Sequence, residues 1–305
     1  MIHKRPLVLF LFFQTILCVL IISAQAGPKT IDDGYGEYVF VPAGEFEMGD
    51  NFEEGDADEV PVHTVYLDAY YIGKYKVTNK EYQKLIKDKG YENPDYWAVG
   101  GFNEYGEEPR FWKDPRFKGG GIPGNENYPV VGISWFEAVA YCCWLSAKTG
   151  VSYRLPTEAE WEKAARGTDQ RRFAWGNEID RHYANYEHSG DPFEPGITPV
   201  DYYDGTTRNG FETKKNVSAS GACEMIGNVW EWCLDWYGGS AYYAVSEKNN
   251  PCGPDSGSSR ILRAGGWVDS SYYHRAANRN SSFPENRNPI QGFRCVREVA
   301  NLNND

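Results

Sequence analysis

The chain has 305 residues, 41% of them hydrophobic and 24% charged, the balance of an ordinary water-soluble globular protein. Aromatic residues reach 15%, and 32 Gly with 17 Pro point to a turn-rich fold of one large or two small domains with few long helices. A coiled coil, a collagen and a mostly disordered chain are excluded, and a formal net charge of −12 argues against a nucleic-acid partner.

Residues 1–26 read as a secretory signal peptide: Lys4 and Arg5, an apolar run from Leu7 to Ile22, then Ala24-Gln25-Ala26. Export predicts a secreted or periplasmic protein with no stable membrane span after cleavage. Six cysteines remain: Cys142, Cys143, Cys223, Cys233, Cys252 and Cys295. An even number in an exported chain favours disulfides, and no C-x-x-C pair suggests a thiolate zinc site.

Residues 27–37 form a lead-in, 38–299 the domain and 300–305 a tail. Tyr38–Val41 and Phe46–Met48 are expected to pair as a hairpin across Pro42-Ala43-Gly44-Glu45. His63–Leu67 and Tyr70–Ile72 alternate as strands do. Thr78 can cap a helix running to Gly90. Residues 91–129, rich in Gly, Pro, Asn and aromatics, read as a long loop packed by its own side chains. Capping boxes Ser134/Glu137 and Thr157/Glu160 start two more helices, ending near Ser146 and Gly167. About 130 residues of short strands, turns and tryptophans follow. The whole is an α+β single domain low in regular secondary structure.

Eight runs in order carry a resemblance: V-P-A-G-E-F-E-M-G (41–49), E-V-P-V-H-T-V (59–65), Y-P-V-V-G-I-S-W-F-E-A-V-A-Y-C (128–142), R-L-P-T-E-A-E-W-E (154–162), F-A-W-G (173–176), G-N-V-W-E-W (227–232), R-A-G-G-W (263–267) and G-F-R-C (292–295). The chain resembles the formylglycine-generating enzyme, or sulfatase-modifying factor, family over residues 38–297. The resemblance implies a variant C-type-lectin-like fold. It also implies copper held by two cysteines five residues apart, used to oxidise a sulfatase cysteine. The corresponding stretch here, residues 265–279, contains no cysteine. Ser270 and Ser271 are hard ligands that cannot replace thiolates for Cu(I), so copper chemistry is not expected. Asp269 and His274, themselves five apart, could form part of an iron site if His63, His182 or His188 joined them.

The resemblance further implies two structural calcium sites, one at Asn185, Tyr186, Asp191 and Phe193, the other at Glu224, Gly227, Val229 and Glu231. It implies a Cys142–Cys295 disulfide, and places alanines, Ala165 and Ala276, where the family has a second bridge. Cys233 with Cys252, and Cys143 with Cys223, are further possible pairs. The segment 267–288 is dense in Asp, Ser, Tyr, His, Asn and Arg, the composition of binding loops. A candidate pocket there comprises Trp230, Trp267, Asp269, Ser270, Ser271, Tyr273, His274 and Arg279. The competing reading makes Arg275, Arg279, Arg287 and Arg294 core ion-pair residues. The functional expectation is a non-catalytic binding or accessory module for a protein, peptide or glycan. The alternative is a superfamily oxidoreductase with an altered metal site.

Overall fold

Three local signals set the main helices of the computed structural model, which describes residues 29–299. In each, a Thr or Ser side chain accepts the N3 backbone N–H while the N3 glutamate accepts the cap's own N–H. The boxes are Thr78/Glu81 for α1 (Asn79–Lys87), Ser134/Glu137 for α2 (Trp135–Thr149) and Thr157/Glu160 for α3 (Glu158–Arg166). Helix α2 runs three residues past the expected Ser146 and stops at Gly150, whose φ of 72° is left-handed. A short α4 spans Gly239–Tyr243. The expected signal peptide and tail lie outside the described residues. Among the described residues no helix is long and apolar enough to cross a membrane.

The strands are short. In chain order they are β1 (Thr30–Asp32), β2 (Glu37–Val41), β3 (Gly44–Met48), β4 (His63–Leu67), β5 (Tyr70–Gly73), β6 (Tyr153–Arg154), β7 (Thr207–Arg208), β8 (Phe211–Glu212), β9 (Trp230–Trp236), β10 (Arg260–Arg263), β11 (Asn280–Ser282), β12 (Gln291–Gly292) and β13 (Val296–Glu298). One sheet has the order β1-β2-β5-β13-β6 and a second β11-β10-β9-β12, with β3-β4 and β7-β8 as separate pairs. Strand β13 lies between β5 and β6, so the last strand closes on the first third of the chain.

The expected hairpin between Tyr38–Val41 and Phe46–Met48 does not form. Strand β2 pairs with β1 and β5, whereas β3 pairs along its whole length with β4. The β-prone runs on either side of the tight turn instead send Val39, Val41, Phe46 and Met48 into one buried cluster from two different pairings. Gly44, at φ 139°, takes the backbone turn between them. The lead-in is more than a tether, since it contributes the edge strand β1. Residues 91–129 are irregular as expected, interrupted by 3₁₀ turns at Pro94–Trp97 and Pro115–Phe117 and anchored by buried Trp97 and Trp112.

Two large apolar clusters and two small ones fill the interior of the described residues. The first surrounds α2, where Tyr82 stacks on Tyr141 at 5.4 Å and Phe293 meets both edge-on. The second surrounds α3 and contains Trp161, Val65, Ile261 and both Ala165 and Ala276. Cys142 on α2 and Cys295 before β13 are buried with their sulfurs 3.6 Å apart, in contact but not bonded. Cys233 is fully buried and Cys252 exposed, and Cys143 and Cys223 are half-buried thiols.

Candidate functional site

Strand β10 delivers the chain into the Gly-Gly-Trp run. Ala264 and Gly265 both have positive φ, and a Cβ on Gly265 would lie 2.9 Å from the His274 ring. A Cβ on Gly266 would meet Asp269 Oδ2 at 3.0 Å and the Trp230 ring at 3.1 Å. Side-chain-free positions are what bring the loop 267–274 this close to β9. Asp269 Oδ2 accepts the Trp230 indole N–H at 2.8 Å and the Gly266 amide at 3.0 Å. Burial nonetheless pushes its carboxyl above the usual range. His274 ends a 3₁₀ turn over Ser271–His274 and is wholly buried. Its Nδ1 faces the Ser270 carbonyl at 2.9 Å, and burial holds its pKa down at about 4, so the imidazole is neutral at pH 7.

The residues expected to form one pocket divide into three environments. Trp230 and His274 are buried under the loop, and Asp269 is half-buried against Trp230. Trp267 is half-buried against Tyr128, Val131, Ile197 and Val229. Ser270, Ser271, Tyr272 and Tyr273 stand in solvent with Val268, the two tyrosine rings meeting edge-on at 5.3 Å. Beside them opens a cleft of about 340 Å³ lined by Glu54, Arg172, Phe173, Asn177, Glu178, Ile179, Ser271, Tyr272 and Arg275. Arg279 does not join this surface. It is buried, donating to Glu158 at 2.7 and 2.8 Å and to the Asp58 carbonyl.

The arginines are core ion-pair residues. Arg263, wholly buried, donates to Glu158 at 2.7 Å, to Glu162 at 2.8 Å and to the Ala276 carbonyl. Arg275 is bidentate on buried Glu59 at 2.5 and 2.8 Å, and Asn278 donates to the same carboxylate. Arg287 reaches Glu137 at 2.9 Å. Helix α3 presents Glu158 and Glu162 one turn apart, so both ends of 263–279 are clamped onto one helix. Glu59, Glu158, Glu162 and Lys76 were not singled out from sequence. The signal for the first three was the E-V-P and T-E-A-E-W-E runs, in which a glutamate at a core-facing position demands a cation.

Three histidines were possible companions for Asp269 and His274 around iron. His63 lies on β4 with its Nε2 on Ser246, His182 faces the Glu212 carbonyl, and His188 is exposed beside Glu187 and Glu194. Among the described residues no group of three or more His, Cys, Asp or Glu is arranged to hold a metal. These donors do not fit a redox metal at Asp269 and His274.

The two calcium sets differ. Asn185 and Asp191 are both buried on one loop. Asp191 accepts the Ser189 and Tyr203 hydroxyls at 2.8 and 3.0 Å and the Phe193 amide at 2.8 Å. With the Tyr186 and Phe193 carbonyls this is an all-oxygen donor set, the chemistry a hard cation takes. In the second set Glu231 is already saturated. Its Oε1 takes Lys76 Nζ and an Arg294 nitrogen, each at 2.9 Å, while its Oε2 takes the Arg294 Nε at 2.7 Å and the Trp161 indole at 2.9 Å. Burial pushes the Glu231 carboxyl up, but Arg294 and Lys76 outweigh it and hold the group below its usual range. The Glu224 carboxylate turns to the Tyr203 amide and Asn228, where burial pushes it up to about 7. The second set does not fit a calcium ion.

Short strands around two cores, three boxed helices and a double-glycine loop clamped by arginines define a fold of the formylglycine-generating-enzyme type. The chain belongs to the sulfatase-modifying factor enzyme 1-like domain family, whose profile matches residues 24–299. It is 34% identical to the formylglycine-generating enzyme of Streptomyces coelicolor over 91% of this chain and 94% of that protein. It is 33% identical to hercynine oxygenase of Mycolicibacterium smegmatis over 91% of this chain and 67% of that one. Among solved structures it resembles PvdO from Pseudomonas aeruginosa, with a TM-score of 0.61 and 26% identity, covering 87% of this chain and 95% of that one.

Proposed function

We propose that this family member is an exported, non-catalytic binding or accessory module that meets a protein, peptide or glycan through Val268, Ser270, Ser271, Tyr272 and Tyr273. The observation that carries the reading is the contrast between base and crest of the loop. The base is held by buried Arg–Glu pairs, while the crest exposes two tyrosines and two serines beside a cleft of mixed polar and apolar lining. Rigid amphipathic rings flanked by small hydroxyls lose little entropy on binding. A calcium ion at Asn185, Tyr186, Asp191 and Phe193 has a structural role here, tying down a loop with little regular hydrogen bonding.

A second reading, a superfamily oxidoreductase with altered chemistry, draws on the similarity to a formylglycine-generating enzyme and a hercynine oxygenase. One experiment separates the two. Purified protein is assayed for bound metals and O2 consumption, then applied with its Tyr272→Ala/Tyr273→Ala variant to glycan and peptide arrays. The binding reading expects array ligands lost by the double variant while the fold is retained, since Tyr273 is exposed and Tyr272 meets the base only through its ring over Arg275 at 4.6 Å. Stoichiometric copper or iron with O2 turnover would replace it by the oxidoreductase reading.

A further inference from the structure

The misfit at the second calcium set has a definite chemical form. Lys76 lies two residues before the α1 cap and is buried to 1% exposure, and its ammonium sits 2.9 Å from Glu231 Oε1 and 2.5 Å from the Glu224 carbonyl. Arg294, itself wholly buried, contacts the same two residues, donating to the Glu231 carboxylate and, at 3.2 Å, to the Glu224 carbonyl. Two of the residues expected to surround a metal ion therefore surround an amine instead. We propose that the Lys76 ammonium is the resident cation of this position, so that calcium binds there only when the lysine is removed.

Charge and donor number both lead to this. Glu231 faces two buried cations, and each of its oxygens already holds two donors. A divalent ion entering beside Lys76 and Arg294 would bring uncompensated positive charge among side chains with no solvent exposure. Shortening Lys76 relaxes both limits. One of the two positive charges leaves, and Glu231 Oε1 and the Glu224 carbonyl each lose a donor, which frees two hard oxygens of the kind a calcium ion takes. The inference is independent of what the exposed loop binds.

The test combines calcium content with thermal unfolding, in chelator and in millimolar calcium. Asp191→Asn is the background, because it removes the carboxylate of the other calcium set. With Lys76 intact this protein should carry no calcium and melt at the same temperature in both conditions. Adding Lys76→Ala should lower the melting temperature by roughly 10 °C in chelator, the scale of breaking a buried pair. Calcium should then restore at least half of that loss, with one ion bound per chain. Lys76→Met, whose side chain fills the space, should fall similarly and gain nothing from calcium. Calcium bound to the Lys76-intact background overturns the proposal, and this arm stands even if the alanine variant does not fold. A folded alanine variant indifferent to calcium overturns it as well.

Discussion

Glu158 offers the sharpest test of the clamp that holds the loop. It is the first residue of α3 and 5% exposed, and it receives Arg263 and Arg279, whose side chains are 0% and 2% exposed. Glu158→Gln keeps the shape but removes the charge and turns an amide toward a guanidinium. Arg263 retains Glu162; Arg279 retains the Asp58 carbonyl, a 3.9 Å approach to the Asp58 carboxylate and the Tyr243 ring at 4.4 Å. Removing one partner of a buried pair destabilises by about 3–5 kcal/mol. For a chain of this size that lowers the melting temperature by about 10 °C at pH 7. Burial pushes the Glu158 carboxyl up, but Arg279 and then Arg263 overcome it and hold the group below its usual range. A depressed folded pKa means its contribution is fully present above the ordinary glutamate value of about 4.3 and is lost as pH falls through the folded pKa. Calorimetry of wild type and variant between pH 7 and pH 3 should therefore show a gap that closes in acid. A gap under about 2 °C at pH 7, or one that widens in acid, would refute the reasoning.

Asp235 should behave oppositely. Burial, reinforced by Glu158, pushes it up to about 8, so its contribution is fully present below the ordinary aspartate value of about 3.9 and lost as pH rises through 8. Asp235→Asn keeps an acceptor for the Glu158 amide, and its melting temperature should gain on wild type as pH climbs from 4 to 9, which differential scanning fluorimetry reads directly. Under oxidising conditions Cys142 and Cys295, 153 residues apart, should cross-link, visible as a linked peptide on non-reducing mass mapping. Cys142→Ser should then forfeit about 4–5 kcal/mol in denaturant titration if loop closure governs the effect. Chelator should lower the wild-type melting temperature, since saturating calcium at about 100 times its Kd stabilises by about 2.7 kcal/mol, and Asp191→Asn should be insensitive to it.

What the sequence announced and what it concealed divide by the range of the interaction. Ser134/Glu137 and Thr157/Glu160 are contacts three residues apart, so they could be read as capping boxes and both formed. Strand pairing is a contact between distant segments. Nothing local told Tyr38–Val41 to choose β5 over its neighbour Phe46–Met48, and a β-prone run serves either arrangement. The family and fold were legible because eight ordered motifs span the domain. The candidate pocket was legible only in part. His274 and Arg279 are polar letters that mark exposed sites in one context and satisfied core groups in another, and only the positions of Ser270 and Glu158 decide which. Lys76 carried no signal, because its partners Glu224 and Glu231 lie about 150 residues further along the chain.

The loop after β10 assigns its two duties to separate letters. Arg263, Arg275 and Arg279 grip the scaffold, while Val268, Ser270, Ser271, Tyr272 and Tyr273 touch solvent. Substitutions at the crest therefore leave the ion pairs untouched, with Tyr272 the one crest ring that also lies over a clamping arginine. A laboratory library randomised at the other four codons tests the proposed binding role while the groups that hold the loop stay in place.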